Sequence, residues 1–415
     1  MNSIPRLGAS DSTIAFLREG YPFTTTRCRQ LGSDAFRTRL MLSPVTCAYG
    51  KEAAEIFYAK DRFTRRGAMP SMTVKMLQGF GSVQTLDGAP HRNRKQMFLQ
   101  LLMGEAEITR LVTLADEEWH EAAARWSPGA RISLLDEAAL VLSRVALRWL
   151  GLSPRAEDAG ARARECLTMI RGAGTLGPLS LARGALLRAR SEKWARRVIE
   201  DVREERLAVD RDSPIRVLAN QPDEERDLLS LHVAALELLN LVRPIVAIAV
   251  FIIHAALALR DHPEWRERVM ASPRDTHDFV QEVRRLAPFF PVIAGRVMEP
   301  FEWRGETFTR GDWMLLDLWG TNRDERIWDN AEAFRPERFA HWEGNAFTLI
   351  PQGGGDYADG HRCPGERVTI ALTEQAVRFL ASIDYSVPEQ DLSLDMGQMP
   401  ALPDRGLLIE PLMRG

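Results

Sequence analysis

Apolar residues recur at three- and four-residue spacing along most of the chain, which is the period of an amphipathic helix. This pattern predicts helices at about 50–60, 103–126, 133–150, 186–209, 226–260, 275–287 and 365–382. Between Val292 and Trp319 the pattern changes to short alternating runs broken at Gly305 and Gly311, and the segment from Tyr385 onward is similar. We therefore predict a mainly α fold with two small β regions.

The most hydrophobic stretch is LLNLVRPIVAIAVFIIHAALAL, which has the composition of a membrane span. Arg243 and Pro244 interrupt it, and the apolar run after Pro244 is shorter than the about 18 residues that a span needs. We therefore predict a helix buried in the middle of a large domain. The first residues show no apolar core of the kind found in signal peptides, so the sequence predicts a cytoplasmic protein without a membrane span.

Composition narrows the possible ligands. The 415 residues include 54 basic and 57 acidic side chains, and this balance leaves no excess field to attract nucleic acid. The four cysteines, Cys28, Cys47, Cys166 and Cys363, lie far apart without a CxxC pair. This spacing fits a reducing compartment and argues against a disulfide framework or a cysteine-rich zinc site.

Cys363 differs from the other cysteines in its surroundings, GHRCPGE. Pro364 is typical of a first helical position, so we predict that a helix starts at the cysteine and that its N–H groups and dipole stabilise a thiolate. Such a thiolate serves as a metal ligand or a nucleophile, and the alternative is an ordinary buried thiol. The preceding PQGGGDYADG lacks the signature of a phosphate loop, so we expect its glycines to let backbone lie flat against a planar cofactor.

Two further motifs precede this loop. Glu282 and Arg285 lie three residues apart on a predicted helix, where the ordinary explanation is a surface ion pair. Arg338 in FRPERF follows and would join them. The order ExxR, PERF and a loop with His361 and Cys363 resembles the cytochrome P450 family.

The resemblance implies a cytochrome P450 fold in which Cys363, in a loop near 351–366, is the axial thiolate of a haem b (iron protoporphyrin IX). It also implies that Glu282, Arg285 and Arg338 form a structural triad beneath the haem. Thiolate ligation favours O–O cleavage. One position departs from the family pattern, because the usual phenylalanine seven residues before the cysteine falls at Asp356, which would change the surroundings of the sulfur.

The predicted long helix carries Arg243 and Pro244 where ordinary family members have an acid–alcohol pair that delivers protons. Proline inside a helix costs about 3 kcal/mol, and an arginine in so apolar a helix is unfavourable unless an anion meets it. The alternative is an arginine that reaches the surface or pairs with a core carboxylate. With the haem motifs present, we predict that Arg243 holds a ligand carboxylate in a bidentate pair.

The segments LVRPIVAI, GSVQTLDG, HRNRKQMF and GHRCPGE together resemble the fatty-acid peroxygenase branch of the family. This resemblance implies a long-chain fatty acid held by Arg243, a cavity shaped by Pro244, hydrogen peroxide as oxidant and no required redox partner. The substrate carboxylate would then serve as general acid–base in place of the missing acid. Similarity runs from about residue 10 to the C-terminus, so we predict one P450 domain over 1–415.

Resemblance also assigns positions around the haem. His91 and Lys95 lie four residues apart, so that one helix face presents both cations to the haem propionates, with Arg65, Arg296 and His361 as further partners. An exposed basic helix face is the alternative explanation.

Three positions bear on which product the implied reaction would give. Gln84 matches a distal position where branch members carry glutamine or histidine, and a neutral glutamine favours hydroxylation over decarboxylation; a polar loop residue is the alternative. Phe289 and Phe290 would restrict sliding of the chain and favour hydroxylation at Cα over Cβ, or they serve core packing. The competing hypotheses are a decarboxylase that gives terminal alkenes, a conventional redox-partner-dependent monooxygenase, and a non-catalytic haem sensor or carrier.

Overall fold

The computed structural model describes residues 3–153, 156–172, 178–225 and 227–412, and helices dominate it. The helices are α1 Thr13–Glu19, α2 Phe23–Leu31, α3 Lys51–Phe57, α4 Ser71–Leu77, α5 Gly88–Met103, α6 Glu105–Ala124, α7 Leu134–Trp149, α8 Ala156–Gly172, α9 Pro178–Arg203, α10 Pro214–Ala219, α11 Leu231–Asp261, α12 Trp265–Ala271, α13 Pro273–Leu286, α14 Leu318–Thr321 and α15 Glu366–Ser382. The strands are β1 Ala35–Leu40, β2 Ser43–Tyr49, β3 Phe63–Thr64, β4 Ile132–Ser133, β5 Val292–Val297, β6 Phe301–Trp303, β7 Glu306–Phe308, β8 Trp313–Asp317, β9 Tyr385–Ser386 and β10 Leu408–Pro411. The predicted mainly α fold with small β regions is confirmed.

Helix α11 forms the centre of the largest hydrophobic core and packs against α7, α9 and α15. It begins behind Ser230, whose hydroxyl oxygen accepts a hydrogen bond from the N–H of Val233 at 3.3 Å. Within the described part of the chain it is the helix long and apolar enough to cross a membrane, and 78% of its most apolar window is buried inside the fold. A helix that is apolar on all faces is stable when protein surrounds it, which agrees with the predicted core helix.

A five-stranded sheet in the order β1-β2-β8-β5-β3 lies beside the helices. Strands β2 and β8 are parallel, with Cys47 opposite Leu315, and the other neighbouring pairs are antiparallel. The two predicted β regions are present as β5 to β8 and as β9 with β10. The sequence pattern did not predict β1 and β2, because arginines and a proline obscure their alternation.

Several predicted helix bounds are wrong. Helix α9 spans Pro178–Arg203 rather than 186–209, since the chain turns at Glu205, whose φ is 56°. Helix α15 begins at Glu366 rather than at Cys363, because Gly365 occupies the N-cap position. The helix predicted from 226 begins at Leu231, and residue 226 itself lies outside the described residues.

A polar contact ties α11 to the C-terminal segment. Nε2 of His254 lies 3.1 Å from the carbonyl oxygen of Ala401, so the neutral ring donates to that oxygen. Burial lowers the pKa of His254 to about 4. The folded protein therefore holds this histidine neutral at pH values where an unfolded chain protonates it.

We expect the free energy of unfolding to fall as the pH drops from about 6.5, the pKa of an unfolded histidine, towards 4. In this pH window the histidine is protonated in the unfolded chain, whereas His254 stays neutral in the folded protein. The variant His254→Gln keeps an N–H donor for Ala401 but has no proton to gain, so its stability should fall less steeply than that of the wild type. Urea unfolding at several pH values checks this, and identical slopes would exclude a contribution from His254.

Candidate active site

Cys363 lies at the end of the glycine-rich loop, directly before α15. Its N–H donates to the carbonyl of Gln352 at 3.3 Å. Burial raises the pKa of the Cys363 thiol, whereas the N–H of Gly365 and the charge of Lys95 lower it. Helix α15 begins three residues beyond the cysteine, so its first turn does not face the sulfur. The N–H of Gly365 alone takes that place.

The glycines of this loop pack against protein. A Cβ atom on Gly354 would lie 2.4 Å from the carbonyl oxygen of Ala346, and one on Gly355 would lie 2.9 Å from Cβ of Tyr58. Gly353 and Gly355 also have positive φ angles of 93° and 76°. Close packing against Tyr58 and the preceding turn accounts for these glycines on one side of the loop, and their approach to a planar cofactor stays a prediction.

Buried basic side chains gather beside the loop. His91 and Lys95 of α5 are both buried, and the ring of His91 lies 4.3 Å from that of His361, measured between centroids. Nζ of Lys95 donates to the carbonyl of Arg362. Burial lowers the pKa of His91 to about 4 and that of Lys95 to about 8.

Arg65 belongs to the same electrostatic neighbourhood, because its charge lowers the pKa of His361. Its guanidinium donates to the carbonyl of Ala294 at 2.7 Å and lies 4.4 Å from the centroid of the Phe57 ring. Burial lowers the pKa of Arg65 as well. Among the described residues, neither Arg65 nor Lys95 forms an ion pair with a carboxylate, so this cluster is suited to a buried anion from elsewhere.

Arg296 has different contacts from the cluster. Its guanidinium donates to the carbonyls of Gly67 and Gly311, both at 3.1 Å, and lies 5.2 Å from the ring of Trp313. None of these contacts involves the cluster of His91, Lys95, Arg65 and His361. The side-chain contacts of Arg296 therefore go to backbone carbonyls and Trp313, although its position on β5 lies opposite Thr64, next to Arg65.

The ExxR and PERF motifs meet as the sequence suggested. Glu282 accepts two hydrogen bonds from Arg285 at 2.7 and 2.8 Å and one from Arg338 at 3.2 Å. The side chains of Glu282 and Arg285 are fully buried, so the surface ion pair considered above is excluded. Arg285 also donates to the carbonyls of Asn322 and Ala331, which ties α13 to the loop before Pro336.

Arg243 lies in the middle of α11 and is buried. Its Nη2 donates to Oδ1 of Asn240 at 3.0 Å, whereas its buried Nη1 has no hydrogen-bond partner within the described residues. Burial, followed by the nearby charge of Arg188, lowers the pKa of Arg243 to about 9. Pro244 is exposed although its neighbours on α11 are buried, so the helix faces open space at this residue.

A carboxylate that the sequence analysis missed organises the surroundings of Arg243. Glu237 accepts hydrogen bonds from Asn240 at 2.9 Å, from Arg94 at 2.7 Å and from the N–H of Val83 at 2.8 Å. Asn240 also donates to Oε1 of Gln84 at 3.3 Å. Gln84 and Arg243 thus share the amide of Asn240 as a partner. The three- and six-residue spacing of Glu237, Asn240 and Arg243 was the available signal, since it places them on one helix face.

The two phenylalanines differ in burial. Phe289 packs its ring 4.7 Å from that of Phe251 on α11, whereas Phe290 is 46% exposed. Their rings contact each other at 4.5 Å. Phe289 therefore packs on the central helix, and Phe290 extends outward from it.

Comparison with known proteins identifies the fold. Residues 275–378 match the family model described as Cytochrome P450. Curated relatives include Cytochrome P450 71B24 of Arabidopsis thaliana, 33% identical over 123 residues, and rhazimal synthase of Alstonia scholaris, 38% identical over 114 residues. These matches span 28% and 26% of this chain but only 24% and 21% of the relatives' lengths.

Solved structures match over the whole length. Cytochrome P450EX alpha (CYP152N1) with myristic acid is 40% identical with a TM-score of 0.95, and each chain is covered completely. The chain belongs to the cytochrome P450 family. A mutant of cytochrome P450SP alpha (CYP152B1) is 40% identical at a TM-score of 0.93, covering 97% of this P450 and 98% of that chain. A point mutant of cytochrome P450 OleT in complex with arachidonic acid is 32% identical at a TM-score of 0.94 with complete coverage of both.

Family membership implies a haem cofactor, and the residues of this P450 fit one. The described residues contain no cluster of three or more histidine, cysteine or acidic side chains that would hold a metal ion without a macrocycle. Cys363 offers a single sulfur beside α15, and the charged side chains of Lys95 and Arg65 have no carboxylate partner among the described residues, while the neutral ring of His91 beside them can donate a hydrogen bond. A macrocycle with anionic substituents would supply both the further ligands and the missing charge.

The buried triad should contribute strongly to stability. In Glu282→Ala the guanidinium of Arg285 would remain buried without its anion, so we expect a loss of about 3–5 kcal/mol in the free energy of unfolding. Glu299, which pairs with Arg310 at 3.3 Å while both side chains are exposed, provides the matched control, and Glu299→Ala should cost less than about 1 kcal/mol. Urea unfolding measures both, with Glu282→Gln as the milder variant, and equal losses at the two glutamates would contradict the assignment.

Proposed function

We propose that this P450 hydroxylates long-chain fatty acids at Cα or Cβ with hydrogen peroxide as oxidant. The observation that carries the proposal is that the buried guanidinium of Arg243 has an Nη1 atom without a hydrogen-bond partner among the described residues. A buried donor without a partner costs about 1–3 kcal/mol, and a charged one costs more. Binding of a substrate carboxylate would remove this cost and would place the first carbons of the substrate near Pro244.

The cofactor of the proposal is haem b. Cys363 would provide the axial thiolate, and His91, Lys95, Arg65 and His361 would contact the propionates. When bound, the haem supplies an iron centre that activates peroxide, and thiolate ligation favours cleavage of its O–O bond. Arg296 is a weaker candidate for the propionates, because its hydrogen bonds go to backbone carbonyls.

The residues of α11 around Arg243 suit hydrogen peroxide as the oxidant. No acid–alcohol pair occurs in the LVRPIVAI segment, so α11 offers no side-chain acid there to protonate dioxygen. Hydrogen peroxide is already at the required oxidation level and needs no redox partner. The carboxylate bound by Arg243 would move the proton as general acid–base.

Gln84 would assist by ordering peroxide or water. Its Oε1 accepts from Asn240, which leaves its Nε2 as a neutral donor. The absence of an imidazolium at this position disfavours decarboxylation to alkenes. Phe289, which packs against Phe251 of α11, would narrow the space beside the substrate and favour Cα over Cβ.

The competing functions remain distinguishable. A conventional monooxygenase would need electrons from a redox partner, and a haem sensor would bind an acid without converting it. The homologues in complex with myristic acid and arachidonic acid support a fatty-acid ligand for this chain as well. We further propose that residues 1–415 form a single domain that acts in the cytoplasm and has no nucleic-acid partner.

The direct test combines purified protein, myristic acid and hydrogen peroxide without a reductase. We expect 2- or 3-hydroxymyristic acid, identified by mass spectrometry. In Arg243→Ala the loss of a buried charge-assisted pair should reduce kcat/KM by at least about 30-fold, from a cost of about 2 kcal/mol or more. Arg243→Lys keeps the charge but cannot form the bidentate pair, so its kcat/KM should lie between those of the wild type and Arg243→Ala. Turnover only with NAD(P)H and electron-transfer partners would contradict the proposal.

Asn240 should act as a positioning residue for Arg243. In Asn240→Ala the Nη2 atom loses its partner, so we expect the Kd for myristic acid, measured from the haem spectrum, to rise about tenfold for a cost of about 1.4 kcal/mol. The Kd reports the effect on Arg243 separately from catalysis, since Gln84 also loses its hydrogen bond from Asn240 in this variant. The matched control is the exposed Asn220, and Asn220→Ala should leave the Kd unchanged. A variant with unchanged affinity would show that Arg243 needs no support from Asn240.

A further inference from the structure

The departure at Asp356 raises the question of what lies near the Cys363 sulfur instead of the usual aromatic ring. Asp356 itself is used elsewhere, because its carboxylate accepts from the N–H groups of Ala358 and Asp359 at 2.7 and 2.8 Å and closes a turn. The side chain that does reach the sulfur belongs to Gln352. Its Nε2 lies 3.9 Å from Sγ of Cys363, within the range of an N–H···S hydrogen bond.

The neighbours of the amide fix which end faces the sulfur. Nη2 of Arg284 donates to Oε1 of Gln352 at 3.1 Å, so the oxygen must point to the arginine. Nε2 donates to the hydroxyl oxygen of Thr369 at 2.9 Å, and that hydroxyl donates in turn to the carbonyl of Gly365 at 3.0 Å. The reversed amide would place donor against donor at Arg284, so the N–H group is the end directed at Sγ.

Arg284 is itself held in place. Its side chain is 1% exposed and forms an ion pair with Glu366 at the start of α15, and it donates to Oε1 of Gln281 one turn earlier on α13. Glu366 also accepts from Arg362 and from the hydroxyl of Tyr357. Gln352 therefore receives its orientation from a buried network that joins α13, α15 and the loop.

We propose that Gln352 donates a hydrogen bond to the Cys363 thiolate and thereby raises the reduction potential of the haem. The inference rests on the proposed ligation by Cys363. A hydrogen bond to an anionic sulfur withdraws electron density from it, and such bonds to a ligand are among the means by which a protein sets the potential of its metal. Arg284 acts as the positioning residue, because it decides the orientation of the amide.

The test compares two variants of the haem-loaded protein without fatty acid or peroxide. Gln352→Met keeps an unbranched side chain of similar length and removes the donor. We expect its one-electron reduction equilibrium to shift about tenfold towards the oxidised form, about 59 mV lower in potential, and the Fe–S stretching frequency in resonance Raman spectra to rise. The control Thr369→Val removes the other partner of the amide but leaves the donor for the sulfur, so its potential should stay close to that of the wild type.

The outcomes separate the possibilities. A wild-type potential and Fe–S frequency in Gln352→Met would overturn the proposal, and so would equal shifts in both variants, since these would report general disturbance of the loop. Gln352→Leu replaces the methionine variant if that protein does not retain haem. Failure to turn over fatty acids would contradict the proposed function and leave this inference standing, whereas a carbon monoxide spectrum without thiolate character in the wild type would overturn it at its premise.

Discussion

The desolvation of Arg243 is the constraint on which the distal side of this P450 depends. A guanidinium in the middle of an apolar helix loses its hydration, and burial lowers its pKa to about 9. Asn240 compensates in part with one hydrogen bond, and Nη1 is left for a partner that the described residues do not provide. A carboxylate ligand would complete this arrangement and would be oriented by it, so that substrate binding and charge compensation become one event.

Paired and unpaired cations therefore mark different roles in this fold. Arg285 is buried like Arg243, but Glu282 and two carbonyls satisfy its guanidinium, and it holds α13 against the loop before Pro336. The cluster of Lys95 and Arg65 resembles Arg243 instead, because backbone carbonyls and aromatic rings supply its contacts. A buried cation that is paired with a carboxylate of the protein stabilises the structure, whereas a buried cation without such a partner is suited to bind an anionic ligand.

Sequence reasoning found the features that depend on local spacing. The 3.6-residue period predicted the long helices, and the ExxR, PERF and cysteine motifs carried the resemblance to the family, which in turn implied the triad. Contacts between distant segments were out of its reach: Gln84 and Asn240 are 156 residues apart, and Arg284 and Gln352 are 68 apart. The start of α15 was misplaced for a related reason, because Pro364 fits a first helical position and only the backbone geometry shows that Gly365 is the N-cap.

The Arg243–Pro244 dipeptide is tolerated because of where it lies. Pro244 offers no N–H to the carbonyl of Asn240, and a proline inside a helix costs about 3 kcal/mol. Burial of one large aliphatic side chain contributes about 1.5–3 kcal/mol, and α11 buries many of them over 31 residues, Ile252 and Ile253 among them. The packing of the helix on α7, α9 and α15 thus outweighs the local penalty. A functional arginine is placed in this way on the central helix of the core, where Glu237 and Asn240 limit its movement.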